Sequence, residues 1–148
     1  MWGERIGFLS QFEFNKSEYD DGSGFCDTYE GKTSWLGNNV QVSIAARSVS
    51  DEIALLYEKV TANQEKYDTL WKEFAVNELS SEMRFESNDE SLTKQQILHE
   101  LKVSVLTFGF DRDGLMSVWF TPPEPFHGHT ALLYCDNNGN PLVAVMEG

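Results

Sequence analysis

The residues of this chain that come closest to a chemical motif are the two histidines in the segment "PPEPFHGHTALLYC". His127 and His129 stand two positions apart, and residues at i and i+2 of a β-strand lie on the same face of the sheet. Such a pair could supply two imidazoles to a metal ion. A catalytic zinc site usually needs a third protein ligand and an open position. His99, Asp111 and Glu147 are candidates for that ligand, but no pattern selects one of them.

A structural interpretation of the same segment needs no further ligand. Three prolines stiffen the loop, Gly128 permits a tight turn, and His129 then begins a strand. We therefore predict no metal ligand, no catalytic residue and no cofactor. An uncharacterised enzyme or metal-binding domain that uses His127 and His129 is the alternative.

Other catalytic patterns are missing from the sequence. Cys26 and Cys135 lie far apart and outside any CxxC pair, so we interpret them as reduced thiols. There is no GxSxG nucleophile motif and no phosphate-binding glycine motif. The sequence thus favours a function that depends on binding rather than on catalysis.

The hydrophobic periodicity predicts the elements that surround these residues. Strands are expected over residues 5–15, near Phe25 to Tyr29, and from about Val40 to Ala46. A helical region follows, and the chain then returns as a meander of about four strands. The dipeptides Asp113-Gly114 and Asn138-Gly139 are strong hairpin signals within that meander.

The helical region begins at Ser50, a good N-cap that is followed by two acidic residues. Its apolar stripe predicts one long amphipathic helix, or two helices that break near Asn63, with a polar loop after Ser80. A short helix follows, because Thr93 and Gln96 fit a capping box. We predict one α+β domain over residues 1–148, with an antiparallel sheet of about six to seven strands and the helices packed on one face.

The charge of the chain restricts its partners. There are 24 acidic and 11 basic residues, which give a net charge of −13. This balance argues against direct nucleic-acid binding, which needs a basic surface, and is compatible with a basic protein partner. The sequence shows no bilayer-spanning apolar segment and no signal-peptide pattern at its start, so we expect a cytoplasmic protein without a membrane partner.

The acidic residues fall into two candidate partner-binding patches. The loop acids belong to the segment "EYDDGSGFCDTYE", and the helix acids belong to the polar face of the long helical region. A loop is the commoner place for variable recognition, whereas a helix face is more rigid and favours affinity through preorganisation. The sequence does not choose between them. The loop acids are Asp20, Asp21, Asp27 and Glu30, and the helix acids are Glu58, Glu65, Asp68 and Glu73.

Two segments carry a family resemblance, the early "YEGKTSWLGNNVQVSI" and the closing "DGLMSVWFTPPEPFHGHTALLYCDNNGNPLVAVMEG". Both resemble a bacterial family known as domain of unknown function 2262. Its signature corresponds here to Phe126, Gly128 and His129, with Gly148 at the end. The resemblance implies the α+β fold and a bacterial origin, and it supplies no catalytic residues.

Together these observations predict a small acidic bacterial immunity protein. Such a protein would neutralise a cognate toxin by covering its active or substrate-binding surface. We expect that toxin to be basic and nuclease-like, because a surface that binds phosphate attracts an acidic inhibitor. The sequence leaves open whether the protein acts as a monomer or a dimer.

Overall fold

A computed structural model of the 148-residue chain describes residues 9–16, 27–87, 91–110, 116–121 and 130–147. These residues form three α-helices and one sheet of seven strands, in agreement with the predicted α+β class. The strands are β1 (Glu13–Asn15), β2 (Thr28–Trp35), β3 (Asn38–Ala45), β4 (Lys102–Phe108), β5 (Met116–Thr121), β6 (Thr130–Cys135) and β7 (Pro141–Glu147). The helices are α1 (Asp51–Ala62), α2 (Gln64–Ser87) and α3 (Lys94–Glu100).

The strands lie in the sheet in the order in which they occur in the chain, from β1 to β7. Every neighbouring pair is antiparallel except β3 and β4, which are parallel. Parallel neighbours need a long crossover, and residues 46–101, which contain all three helices, provide it. The Ser48 hydroxyl donates a hydrogen bond to the Gly109 carbonyl over 2.8 Å, so the same ends of the two strands are tied together. The sequence predicted the helical insertion but not this parallel pair.

The hairpin formed by β2 and β3 extends further than the sequence predicted. β2 runs through Trp35, and the turn is formed by Leu36 and Gly37, with φ angles of 48° and 86°. Positive φ at both central residues is the mark of a type I′ turn, whose twist matches the flanking strands. β2 was difficult to recognise in the sequence because Gly31 and Thr33 occupy positions where the alternation of a half-buried strand would place apolar residues.

Residues 5–8 of the strand predicted over 5–15 lie outside the described residues, and the rest of it is only partly confirmed. β1 contains three residues, and the chain before it turns, with the Phe12 amide bonded to the Leu9 carbonyl. Phe12 packs edge-on against Tyr57 at 5.6 Å and lies against Gly31, where an added Cβ would be 2.8 Å from its ring. Phe14, by contrast, is half exposed beside Tyr29. The alternating aromatic residues Phe12 and Phe14 therefore lie in two different environments.

The helix boundaries largely follow the predicted caps. The Ser50 hydroxyl accepts a hydrogen bond from the Ile53 amide over 3.2 Å, and the helical region breaks at Asn63. Thr93 and Gln96 form both bonds of the capping box. α2 is longer than predicted, since it continues to Ser87. Although its 24 residues could cross a bilayer, none of the described helices is apolar enough to do so.

The helices pack on one face of the sheet and bury a continuous core. Trp71 is at its centre, stacked on Trp35 with ring centroids 5.3 Å apart, and its indole N–H donates to the Gly139 carbonyl over 2.8 Å. The Tyr67 hydroxyl donates to the neighbouring Asn138 carbonyl over 3.1 Å. The β6–β7 turn is thereby fixed against α2, so the first half of this helix has a defined orientation relative to the sheet.

Candidate partner-binding surface

The loop acids are only partly within the described residues. Asp20 and Asp21 lie outside them. Asp27 directly precedes β2 and is half buried. Glu30 lies within β2, and its carboxylate accepts hydrogen bonds from the side-chain amide of Asn15 at 2.7 Å and from the Ser43 hydroxyl at 3.5 Å. The carboxylate of Glu30 is thus already engaged by neighbouring strands.

Three of the four helix acids are exposed to solvent. Glu58 lies on α1, and Glu65 and Glu73 lie on α2. Glu65 and Glu73 are eight residues apart, so both occupy the same side of the helix with about 12 Å between their backbone positions. Within the described part of the chain, neither carboxylate has an ion-pair partner. Both negative charges remain available to another molecule.

Asp68 does not lie on this exposed side, in contrast to its predicted position. Its residue is only 9% exposed, and both carboxylate oxygens are engaged. Oδ1 accepts from the Trp35 indole N–H at 3.0 Å, and Oδ2 lies 2.9 Å from the Lys72 ammonium. The reason is helical periodicity, since Asp68 precedes the buried residues Trp71 and Ala75 by three and seven positions and shares their face. Its selection as a partner-binding residue remains untested.

The second half of α2 adds acids that the sequence interpretation did not select. Glu78 and Glu82 are exposed and one turn apart. Glu82 was missed because the helix was expected to end near Ser80. A signal was present in the sequence, because Leu79 and Met83 continue the apolar spacing and are both buried.

The exposed side chains of α1 and α2 are strongly unbalanced in charge. Among the described side chains of these helices, six carboxylates but only two lysines are fully exposed. The excess produces a negative potential that attracts a cationic surface and orients it during encounter. We use the name acidic helix surface for these exposed carboxylates of both helices together, although they do not all point the same way, since Glu82 follows Glu73 by nine residues and lies on the opposite side of α2. The six residues are Glu52, Glu58, Glu65, Glu73, Glu78 and Glu82.

The candidate residues for catalysis give no second site among the described residues. His127, His129 and Cys26 lie outside those residues, and the described part of the chain contains no cluster of three or more metal-ligating side chains. Cys135 is buried. Burial, with a smaller contribution from the charge of Asp136, raises the pKa of its thiol. A thiol held protonated in this way is a poor nucleophile.

Comparison with known proteins identifies one family. Residues 9–146 match DUF2262, which is described as an uncharacterized protein conserved in bacteria. No curated protein and no solved structure matches the chain at a significant level.

Proposed function

The chain belongs to the bacterial family DUF2262, and we propose that it is an acidic immunity protein. It binds a cognate basic toxin of the nuclease type and covers the active or substrate-binding surface of that toxin. The observation that carries this proposal is the acidic helix surface, with six exposed carboxylates against two exposed lysines among the described side chains of α1 and α2.

The rigidity of α2 supports binding through this surface. Trp71 and Tyr67 anchor the first half of the helix to the β6–β7 turn by hydrogen bonds from their side chains. Glu65 and Glu73 project from this anchored half, on the side opposite the core. A fixed spacing of charges reduces the entropy lost on binding, so the helix is better suited to hold a partner than a surface that must first be ordered.

The electrostatics favour a partner that itself binds polyanions. A nuclease presents cationic side chains to the phosphates of its substrate, and the acidic helix surface offers carboxylates to the same side chains. Long-range attraction accelerates the encounter and weakens as salt rises. We place this encounter in the cytoplasm, where a producing cell must neutralise such an enzyme.

The test uses the purified product of the neighbouring open reading frame as the partner. Its affinity for the intact chain is measured by titration calorimetry at low and at high salt, and protection of cells from the product is scored in parallel. The double variant Glu65→Gln/Glu73→Gln removes two charges from the acidic helix surface. We expect it to weaken binding about two- to thirty-fold, the sum of two solvent-exposed charge pairs.

The control variant Glu13→Gln/Glu100→Gln removes the same charge from exposed positions on β1 and α3. It should bind as tightly as the unmodified chain. Equal weakening by both double variants would show that only net charge matters and would contradict an interface on α2. Failure of the unmodified chain to bind or to protect would end the immunity proposal for that pair.

A further inference from the structure

A polar cleft lies at one end of the sheet. It forms where the β2–β3 turn, the first half of α2, the end of α3 and the start of β4 meet, and its volume is about 340 Å³. Small-molecule sites occupy about 300–1,000 Å³, so the cleft could hold a small ligand. The side chains that matter for its charge are Asp68, Lys72, His99 and Lys102. We call it the Asp68 cleft.

The one carboxylate among the described residues that line the cleft is already neutralised. Asp68 accepts the Trp35 indole N–H and pairs with the Lys72 ammonium, so its two oxygens are committed to the protein. Trp35 is itself buried and stacked on Trp71. These contacts hold Lys72 in place, and its side chain remains 21% exposed. Asp68 therefore acts as a fixed support for the ammonium rather than as a free negative charge.

Two further nitrogen-bearing side chains of the described residues line the cleft. His99, on α3, and Lys102, at the start of β4, are exposed, and neither makes a hydrogen bond or ion pair with another described residue. Acids outnumber bases by 24 to 11 in the whole chain. Among the described residues that line the cleft the balance is reversed, with two lysines to one paired carboxylate, and His99 adds a further nitrogen. This local reversal indicates a site for an anion.

The remaining polar groups of the lining favour a phosphate. The amides of Asn38 and Asn39 and the hydroxyl of Ser104 belong to the same cleft, and each can donate a hydrogen bond. A terminal phosphate offers three strong acceptor oxygens, which matches the three nitrogen-bearing side chains better than the two oxygens of a carboxylate. Lysine binds phosphate as a point charge and needs no fixed planar geometry.

We infer that the Asp68 cleft binds the phosphate group of a small molecule, with Lys72, His99 and Lys102 as its donors. The ligand is either free phosphate or a small phosphate monoester. This site does not depend on the proposed immunity function, because none of the six glutamates of the acidic helix surface lines the cleft.

The test measures binding of inorganic phosphate, ribose 5-phosphate and ribose to the full chain by titration calorimetry at constant ionic strength. At least one phosphate compound should bind and ribose should not. Equal binding of both phosphate compounds would identify free phosphate as sufficient, whereas tighter binding of ribose 5-phosphate would identify a monoester. If neither phosphate compound binds, or if ribose binds equally well, the inference is wrong.

Two lysine variants locate the site. Lys102→Gln removes a charge from the cleft and should weaken phosphate binding about tenfold, the loss expected for one hydrogen bond to a charged group. Lys32→Gln is the matched control, since Lys32 is also an exposed strand lysine but does not line the cleft. It should leave the affinity unchanged. Equal weakening by the two variants would assign the binding to general charge and overturn the site. His99→Gln, at an exposed helix position, provides a second variant with an expected loss in the same direction.

Discussion

The hydrogen bond from Trp35 to Asp68 makes a quantitative prediction about stability. Asp68→Ala would leave the indole N–H of a side chain that is 3% exposed without its acceptor. An unsatisfied buried donor costs about 1–3 kcal/mol. Loss of the partly exposed pair with Lys72, which has helical i, i+4 spacing, adds about 0.5 kcal/mol. We therefore expect Asp68→Ala to lower the free energy of unfolding by about 1.5–3.5 kcal/mol.

Asp68→Asn separates the two contributions. The amide oxygen can still accept the indole N–H, while the charge that attracts Lys72 is lost. Because the Lys72 ammonium can turn to solvent, this variant should lose only about 0.5 kcal/mol. Urea unfolding followed by far-UV circular dichroism gives both values, provided that the slope m is unchanged.

A double-mutant cycle isolates the Trp35–Asp68 contact. Trp35→Phe keeps an aromatic ring against Trp71 but removes the N–H donor. In that background Asp68→Ala should cost at least about 1 kcal/mol less than in the unmodified chain. The reasoning is refuted if Asp68→Ala and Asp68→Asn lose the same stability, or if the cost of Asp68→Ala does not change when the donor is absent.

Three further predictions concern local features of the fold. Gly139→Ala should lower the free energy of unfolding by about 2 kcal/mol or more, because φ is +80° and the added Cβ would lie 2.9 Å from the Tyr67 ring. Gly37→Ala, at φ +86° with nothing within 4 Å of the added Cβ, should lose less stability in the same urea assay. Equal losses would argue against a contribution from the contact with Tyr67. Thr93→Ala removes the hydroxyl that caps α3 and should cost about 1 kcal/mol, whereas Thr93→Ser should retain most of that stability. The Cys135 thiol should resist alkylation in the folded protein, as measured by peptide mass spectrometry. Because burial raises the pKa of this thiol in the folded state, the unfolded chain loses the proton at lower pH than the folded chain does. The free energy of unfolding should therefore fall as pH rises above about 8.5. If its dependence on pH is the same in Cys135→Ala, the assignment to Cys135 is wrong.

Features set by neighbouring residues were the ones that the sequence predicted well. Ser50 and Thr93 cap their helices through bonds to amides three residues further along, and Asn138-Gly139 lies in the β6–β7 turn. These contacts depend on local chemistry, which a single sequence displays directly.

Features that depend on distant parts of the chain were predicted less well. Asp68 is buried because Trp35, 33 residues away, supplies its donor, and a polar residue with a distant partner resembles a surface residue in sequence. β2 was predicted too short because Gly31 is covered by Phe12, which lies in the turn before β1. The Asp68 cleft collects residues from six separate elements, β2 to β5, α2 and α3, so no local spacing could indicate it.

The parallel pairing of β3 with β4 has a consequence for the order of folding. All other neighbouring strands are antiparallel and are joined by connections much shorter than the one between β3 and β4. The segments β1–β3 and β4–β7 are therefore two antiparallel meanders. Only the β3–β4 junction must close a loop that spans residues 46–101, and such closure is entropically slow. We expect joining of the two meanders to be the late step, so that truncating Val42 or Leu106, which face each other across the junction, should accelerate unfolding more than it slows folding. High φ-values at these two residues would instead place the junction in the folding nucleus.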